Sequence, residues 1–331
     1  MELVRLTDTA YQLRGGSTNA GLIVQDGQAV LVDTGLDRDT ARKILRVIEG
    51  REAHLVGVVI THAHADHFGG AATVRVRTGA PVYASKLEAA VIANPILEPL
   101  YLFSGAAPAA ELRHKFTLAE PCTVDHVIGP GEHIIGDIAV RVMPAPGHAP
   151  EQVMVAGGGA CYVGDACFAP DVLAKHGVPF YTDVDQAATT LAALPDLDGS
   201  FAAFVPGHGV AVQEIRPLAD ANLTRLGEIR QAVSDALTAT DDPATIVQLA
   251  LTQLGVTVSD PVIFWLMRTT VFACLSALQA AGSRIADADV TPPAISFTAA
   301  ASPAASRPLT ISNGIGGQSF GAVGSFTKRK L

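Results

Sequence analysis

Cysteine is scarce. The 331 residues hold four, Cys122, Cys161, Cys167 and Cys274, none in a C-x-x-C pair. That excludes a disulfide scaffold and predicts reduced core thiols. Charge is also thin, at 17% of residues against 49% hydrophobic, so a wholly disordered chain is excluded. Basic clusters are absent from the body of the chain. The net charge is −9, and the bases Arg307, Lys328, Arg329 and Lys330 follow the last acid, Asp289. The rest is therefore more acidic still, a poor platform for phosphate backbones, and no nucleic-acid partner is expected. No run of apolar residues is long enough to be read as a membrane span. The nearest, from Pro261 to Leu275, is too short and carries Arg268 in its middle. The first residues show no basic stretch followed by an apolar one, so a cytoplasmic location is expected.

What is present is an alternation of short apolar strands and helices over about residues 1–212. Leu22-Ile23-Val24 and Ala29-Val30-Leu31-Val32 flank Asp26-Gly27, a hairpin turn signal. Ala41, Ile44, Leu45 and Ile48 recur at helical spacing and stop at Gly50. Leu55 to Ile60 reads as a strand buried on both faces. Residues 127–143 read as a hairpin turning at Gly129-Pro130-Gly131, and Cys161–Val163 and Phe201–Val205 as further strands. This pattern predicts an α/β fold of two sheets with helices packed outside. Residues 91–119 interrupt it with a Pro-punctuated apolar segment, either a lid over a site or an extra helical pair. The stretch 213–290 reads as a helical extension, with helices near 214–237, 242–254 and 259–282. Residues 291–331 are rich in Ala, Ser, Pro and Gly and read as a disordered tail.

The chemistry concentrates in histidines. Directly after strand 55–60 comes Thr61-His62-Ala63-His64-Ala65-Asp66-His67-Phe68-Gly69-Gly70. His62 and His64 are two apart, so extended backbone puts both rings on one side. Asp66 and His67 follow where the chain turns. His148 follows Pro144-Ala145-Pro146-Gly147, Asp165 follows Cys161–Gly164, and His208 follows Pro206-Gly207. Each stands just past the C-terminal end of an apolar strand, and a packed sheet brings such ends to one edge. Five imidazoles and two carboxylates suit zinc or another borderline divalent ion. Seven groups are too many for one tetrahedral ion and suit two ions sharing a carboxylate. His54, His114, His126 and His133 lack such company and read as structural or solvated; His176 is set apart because it follows the Asp165 loop.

His62-Ala63-His64-Ala65-Asp66-His67 with His148, Asp165 and His208 resembles the metallo-β-lactamase superfamily of hydrolases, over about residues 10–210. The resemblance implies an αββα sandwich, here with a C-terminal helical extension, and a dinuclear site at one edge. It implies that His62, His64 and His148 bind the first metal, Asp66, His67 and His208 the second, and that Asp165 bridges them. Asp33, in Leu31-Val32-Asp33-Thr34-Gly35, matches an early strand-end aspartate that orients the ligands from behind, although a turn-capping carboxylate is the other reading. The best-known β-lactamases carry Cys where this chain has Asp165. Gly164-Asp165-Ala166-Cys167-Phe168 resembles glyoxalase II, but the glycine- and arginine-containing stretch that follows there is replaced by Ala169-Pro170-Asp171-Val172-Leu173. Lactonases keep all seven ligands.

The resemblance implies a hydrolase in which two divalent ions, zinc with iron or manganese as alternatives, bring a bridging water's pKa near neutrality. Asp66 would orient the hydroxide and accept its proton. The expected substrate is a small ester, thioester or lactone. The rivals are a persulfide dioxygenase-like oxidoreductase with one iron on His62, His148 and Asp165, a phosphodiesterase on the same fold, and a non-catalytic interaction protein. Pocket walls are expected from residues 91–119, with Leu100, Tyr101, Leu102 and Phe103, from 168–182, and from the C-terminal helices. Lys175, His176 and Tyr181 are candidates to position substrate, against their reading as ordinary loop residues. The apolar helix containing Trp265 is expected to pack on the sandwich or to form a homodimer contact.

Overall fold

The computed structural model describes residues 1–281. Seven strands pair in chain order to form one sheet: β1 (Glu2–Arg5), β2 (Ala10–Arg14), β3 (Ala20–Gln25), β4 (Gln28–Val32), β5 (His54–Val59), β6 (Val82–Ala84) and β7 (His126–Val127). The hairpin between β3 and β4 turns at Asp26-Gly27, both left-handed, as the tight turn requires. From β4 to β7 the pairing is parallel. The second sheet has the order β12-β11-β10-β9-β8. Its strands are β8 (Gly131–Ile135), β9 (Ile138–Pro144), β10 (Val153–Gly157), β11 (Ala160–Gly164) and β12 (Ala203–Pro206).

The two-residue period of the strands explains the layers. In β4, Val30 and Val32 face the other sheet, where they meet Val140, Val142, Val155 and Tyr162. Ala29 and Leu31 point outward, onto Ile44, Leu45 and Ile48 of α1 (Arg38–Glu49). Short helices α2 (Ala65–Phe68) and α3 (Ala71–Thr78) follow β5, and α4 (Lys86–Ala93) and α5 (Leu97–Leu102) follow β6. The outer face of the second sheet, including Met154, Cys161 and Val163, packs on helices. These are α6 (Pro170–His176), α7 (Val184–Ala193), α8 (Arg216–Ala239), α9 (Pro243–Gln253) and α10 (Pro261–Ala280). The result is an αββα sandwich with a C-terminal helical extension.

One expectation needs correction, and one open choice is decided. The hairpin turns at Gly136-Asp137, between β8 and β9; His126–Val127 is an edge strand of the first sheet, and Gly129-Pro130-Gly131 is the crossing between sheets. The 91–119 segment is not a free lid: Leu102 and Leu112 are buried with Val262 of α10, and the Phe103 ring lies 4.8 Å from Trp265. The helices after residue 212 share one continuous core with the second sheet, so the described residues make one compact unit. The tail, 291–331, lies outside the described residues. All four cysteines are free and buried, as expected.

Candidate active site

Four strand ends supply the site. β5 ends at Val59 and delivers His62 and His64 in extended chain, then turns into α2, which carries Asp66 and His67. β9 leads to His148, β11 to Asp165 and β12 to His208. All seven candidate ligands converge. The ligand atoms of His62, His64 and His148 lie within 4.8 Å of one another, and so do those of Asp66, His67 and His208. Asp165 stands between the groups. Its Oδ2 lies 3.5 Å from His148 Nε2 and 3.4 Å from His208 Nε2, and its Oδ1 lies 3.4 Å from His67 Nε2.

Each ring is aimed from behind. His148 Nδ1 lies 2.8 Å from the Phe180 carbonyl and His208 Nδ1 3.0 Å from that of Ser17, so each donates there and turns Nε2 inward. His67 Nδ1 lies 2.8 Å from Asp33 Oδ2. Asp33 also accepts from Thr61 N and Thr61 Oγ1, both at 2.8 Å. Its position is therefore the orienting one, and its backbone is left-handed, at φ 61.

The donor set fits a divalent cation. His62 Nε2, His67 Nε2 and Asp165 Oδ1 are buried without any hydrogen-bond partner. Leaving such atoms unpaired costs about 1–3 kcal/mol each, unless something positive sits among them. His148 Nε2 and His64 Nδ1 face each other at 2.8 Å. With its Nδ1 proton given to Phe180, neutral His148 presents only a lone pair there. The electrostatics divide the site. Burial, and then neighbouring imidazoles, hold His62 well below the ordinary histidine range, and burial does the same to His64 and, less, to His148. Burial also opposes charge on His67 and His208, but the surrounding carboxylates together raise both: Asp165, Asp33 and Asp66 at His67, and Asp165 and Asp66 at His208. Asp165 itself, despite burial, is pulled well below the carboxylate range by His208 and His67. Gly207 makes the close approach possible: a Cβ there would stand 2.0 Å from Asp165 Oδ1.

Several supporting residues were not visible in the sequence. Glu88 on α4 is 2% exposed and accepts from Ala63 N at 2.8 Å and from Glu151 N at 2.9 Å. It thus ties the His62–His64 segment to the loop that carries His148. Asn19 donates to the Pro206 and Gly209 carbonyls on either side of His208. Asn222 of α8, fully buried, exchanges hydrogen bonds with Phe168 N and O just past Asp165. Glu98 of α5 is buried in the cavity wall, and burial, then Asp66, pushes its carboxyl well above the usual range. Polar side chains on short helices carry no periodic signal that separates these roles from solvation.

A cavity of about 660 Å³ opens on the site, reaching His64, Asp66, His148, Asp165 and His208. Lys175 and His176 of α6 line it, as expected; burial, then Lys175, lowers His176. Tyr181 does not line it. It is 1% exposed, its ring faces Phe168 at 6.5 Å, and its hydroxyl is buried without a partner, because the chain turns inward after Phe180. Leu100 to Phe103 do not line the cavity either; Glu98, His114, Phe116 and Thr117 do. His114 is therefore closer to the site than its sequence context suggested.

The family model described as the metallo-beta-lactamase superfamily matches residues 13–208, which span all seven ligands. The chain belongs to the metallo-beta-lactamase superfamily. Among its relatives, a probable metallo-hydrolase of Bacillus subtilis (strain 168) is 30% identical over 163 residues, 48% of this chain and 68% of that protein. A hydroxyacylglutathione hydrolase of Anaeromyxobacter dehalogenans (strain 2CP-C) is 29% identical over 218 residues, 64% of this chain and 71% of that one. The match to a protein of Aquifex aeolicus spans only 52% of that protein's length. In fold, a metallo-beta-lactamase family protein of Thermus thermophilus superposes with a TM-score of 0.64 at 20% identity, covering 84% of this chain and 95% of that one.

Proposed function

We propose that this superfamily hydrolase cleaves a small carboxylic ester, thioester or lactone, using two divalent metal ions, most simply zinc. The observation that carries the reading is Asp165, whose carboxylate faces His148 on one side and His67 and His208 on the other. A carboxylate so shared suits two ions, one held by His62, His64 and His148, the other by Asp66, His67 and His208. Ions bound there supply Lewis-acid activation of a water and of the scissile carbonyl. The chain's own residues do the rest. Asp66, at the cavity floor and partly exposed, orients the water and takes its proton. The water oxygen bonds to the carbonyl carbon, the C–O or C–S bond breaks, and the proton passes to the leaving oxygen or sulfur. Phe168 and Phe180 pack against His148, with ring centroids 5.5 and 5.6 Å away, and exclude bulk water from that side. Lys175 and His176 bind the polar end of the substrate. The hydroxyacylglutathione hydrolase among the relatives, named for a thioester substrate, supports the acyl class.

The test is metal analysis joined to turnover. The purified protein should hold about two ions per chain. Asp165→Ala should lose at least one ion and nearly all hydrolysis of aryl esters and thioesters. One iron per chain with oxygen uptake, or a clear preference for a phosphodiester, would overturn the reading.

A further inference from the structure

The cavity is not uniform. Its floor is the polar ligand set, and Lys175 and His176 stand with the polar groups of its wall. A second wall is hydrocarbon and belongs to α10. Val262, Ile263, Leu266 and Met267 all line the cavity. They occupy positions i, i+1, i+4 and i+5, two adjacent rows on one helical face. This wall is continuous with the ligands. Phe180 packs in one buried cluster with Val262, with Leu266 beside it, and its ring lies 5.2 Å from that of His64. The join is also hydrogen-bonded. Thr270 of α10, fully buried, accepts from Tyr181 N and donates to the Pro179 carbonyl, both at 2.9 Å. The Phe180 carbonyl between them receives His148 Nδ1.

A second observation concerns α10 itself. The run from Pro261 to Leu275 reads as too short to span a membrane, but α10 continues to Ala280 and is long and apolar enough, by length and composition, to do so. Yet only 33% of its apolar stretch is buried. Part of this surplus faces the cavity. At the mouth, Phe116 adds an aromatic ring that is 50% exposed.

Resting on the acyl-hydrolase reading, we propose that the acyl arm of the substrate is an extended, unbranched hydrocarbon chain of medium length that lies along α10. With the carbonyl at the ligand floor, the chain runs past Phe180 onto Leu266 and Ile263, and the leaving group turns toward Lys175 and His176. A polar or highly charged acyl group would desolvate against this wall without partners. Each methylene buried there is worth up to about fourfold in binding.

The test has two arms. First, kcat/KM is measured on p-nitrophenyl esters and on thioesters with straight acyl chains from acetyl to decanoyl. It should rise about threefold or more per added methylene and then level off where the wall ends. Leu266→Trp should move that plateau to shorter chains. Second, binding of the matching straight-chain carboxylates to the metal-loaded protein is followed by calorimetry, and Kd should fall with chain length in step. If esters are cleaved but both series are flat, the α10 site is wrong and the hydrolase reading stands. If carboxylates bind with the expected length dependence but no ester or thioester is cleaved, the hydrolase reading is wrong and the apolar site stands. If Leu266→Trp proves insoluble, the wild-type calorimetric series alone decides.

Discussion

At the scale of single residues, the site depends on side chains that touch no substrate. Asp33 receives three hydrogen bonds in a backbone conformation most residues avoid. Glu88 receives two, in a place where burial raises its carboxyl above the usual range. Removing Glu88 orphans two buried N–H groups, a cost of about 1–3 kcal/mol each. Glu88→Ala should therefore lower stability by roughly 2–6 kcal/mol in urea titrations. Glu88→Gln should recover part of that loss, since its carbonyl still accepts from one partner. Gly207 makes the opposite kind of demand. The methyl of Gly207→Ala would meet Asp165 Oδ1 and, at 2.8 Å, His67 Cε1. The variant should fold and yet bind less metal than the wild type, as measured by elemental analysis; full metal content would show that the loop yields. Of this scale, four of the seven candidate ligands were legible because three His and one Asp crowd six positions, and the other three because each follows the end of an apolar strand. Glu88 was not, since a glutamate on a short helix looks the same in sequence whether it meets water or two backbone amides.

At the scale of elements, strand ends carry the ligands and the C-terminal helices hold their backs. The helices near 214–237, 242–254 and 259–282 were legible from periodicity and from Asp-Pro starts, and α9 and α10 begin with that pair. Where they pack was not legible, because an apolar face does not name its partner. Thr270 shows the consequence. One hydroxyl ties α10 to the strip that aims His148. Thr270→Val keeps the shape and removes both bonds, leaving Tyr181 N and the Pro179 carbonyl unpaired. The expected loss is about 2 kcal/mol, or roughly 4–8 °C in melting temperature, with recovery in Thr270→Ser. An unchanged melting temperature would mean that the strip holds without α10. The hairpin error has a similar origin. Gly-Pro-Gly is a strong turn signal, but here the turn joins two sheets rather than two strands of one.

At the scale of the whole molecule, an acidic chain gathers five histidines and two carboxylates at one end of a cavity. Without ions, burial lowers His67 and His208, but the carboxylates around them, Asp165 foremost with Asp66 and, at His67, Asp33, hold both above the unfolded value of about 6.5. Their stabilising contribution is complete below about pH 6.5 and fades as pH rises through the raised values. Cations held by these residues, as proposed, would take the place of those protons. The rise in melting temperature on adding zinc to stripped protein should therefore grow from about pH 6 to about pH 8.5. A rise that shrinks over that interval would contradict the division of charge described for the site. The amino-acid sequence by itself determined two sheets with helices outside, because periodicity is a local property of the chain, and the seven converging groups, because they crowd one loop or follow strand ends; the αββα class came from the resemblance those groups carry. Only the tertiary structure decided that α10 walls the cavity, that Tyr181 turns into the core, and that Glu88, Asn19 and Asn222 brace the ligand loops. Those facts depend on which distant surfaces meet, and burial and hydrogen-bond partners exist only once they have met.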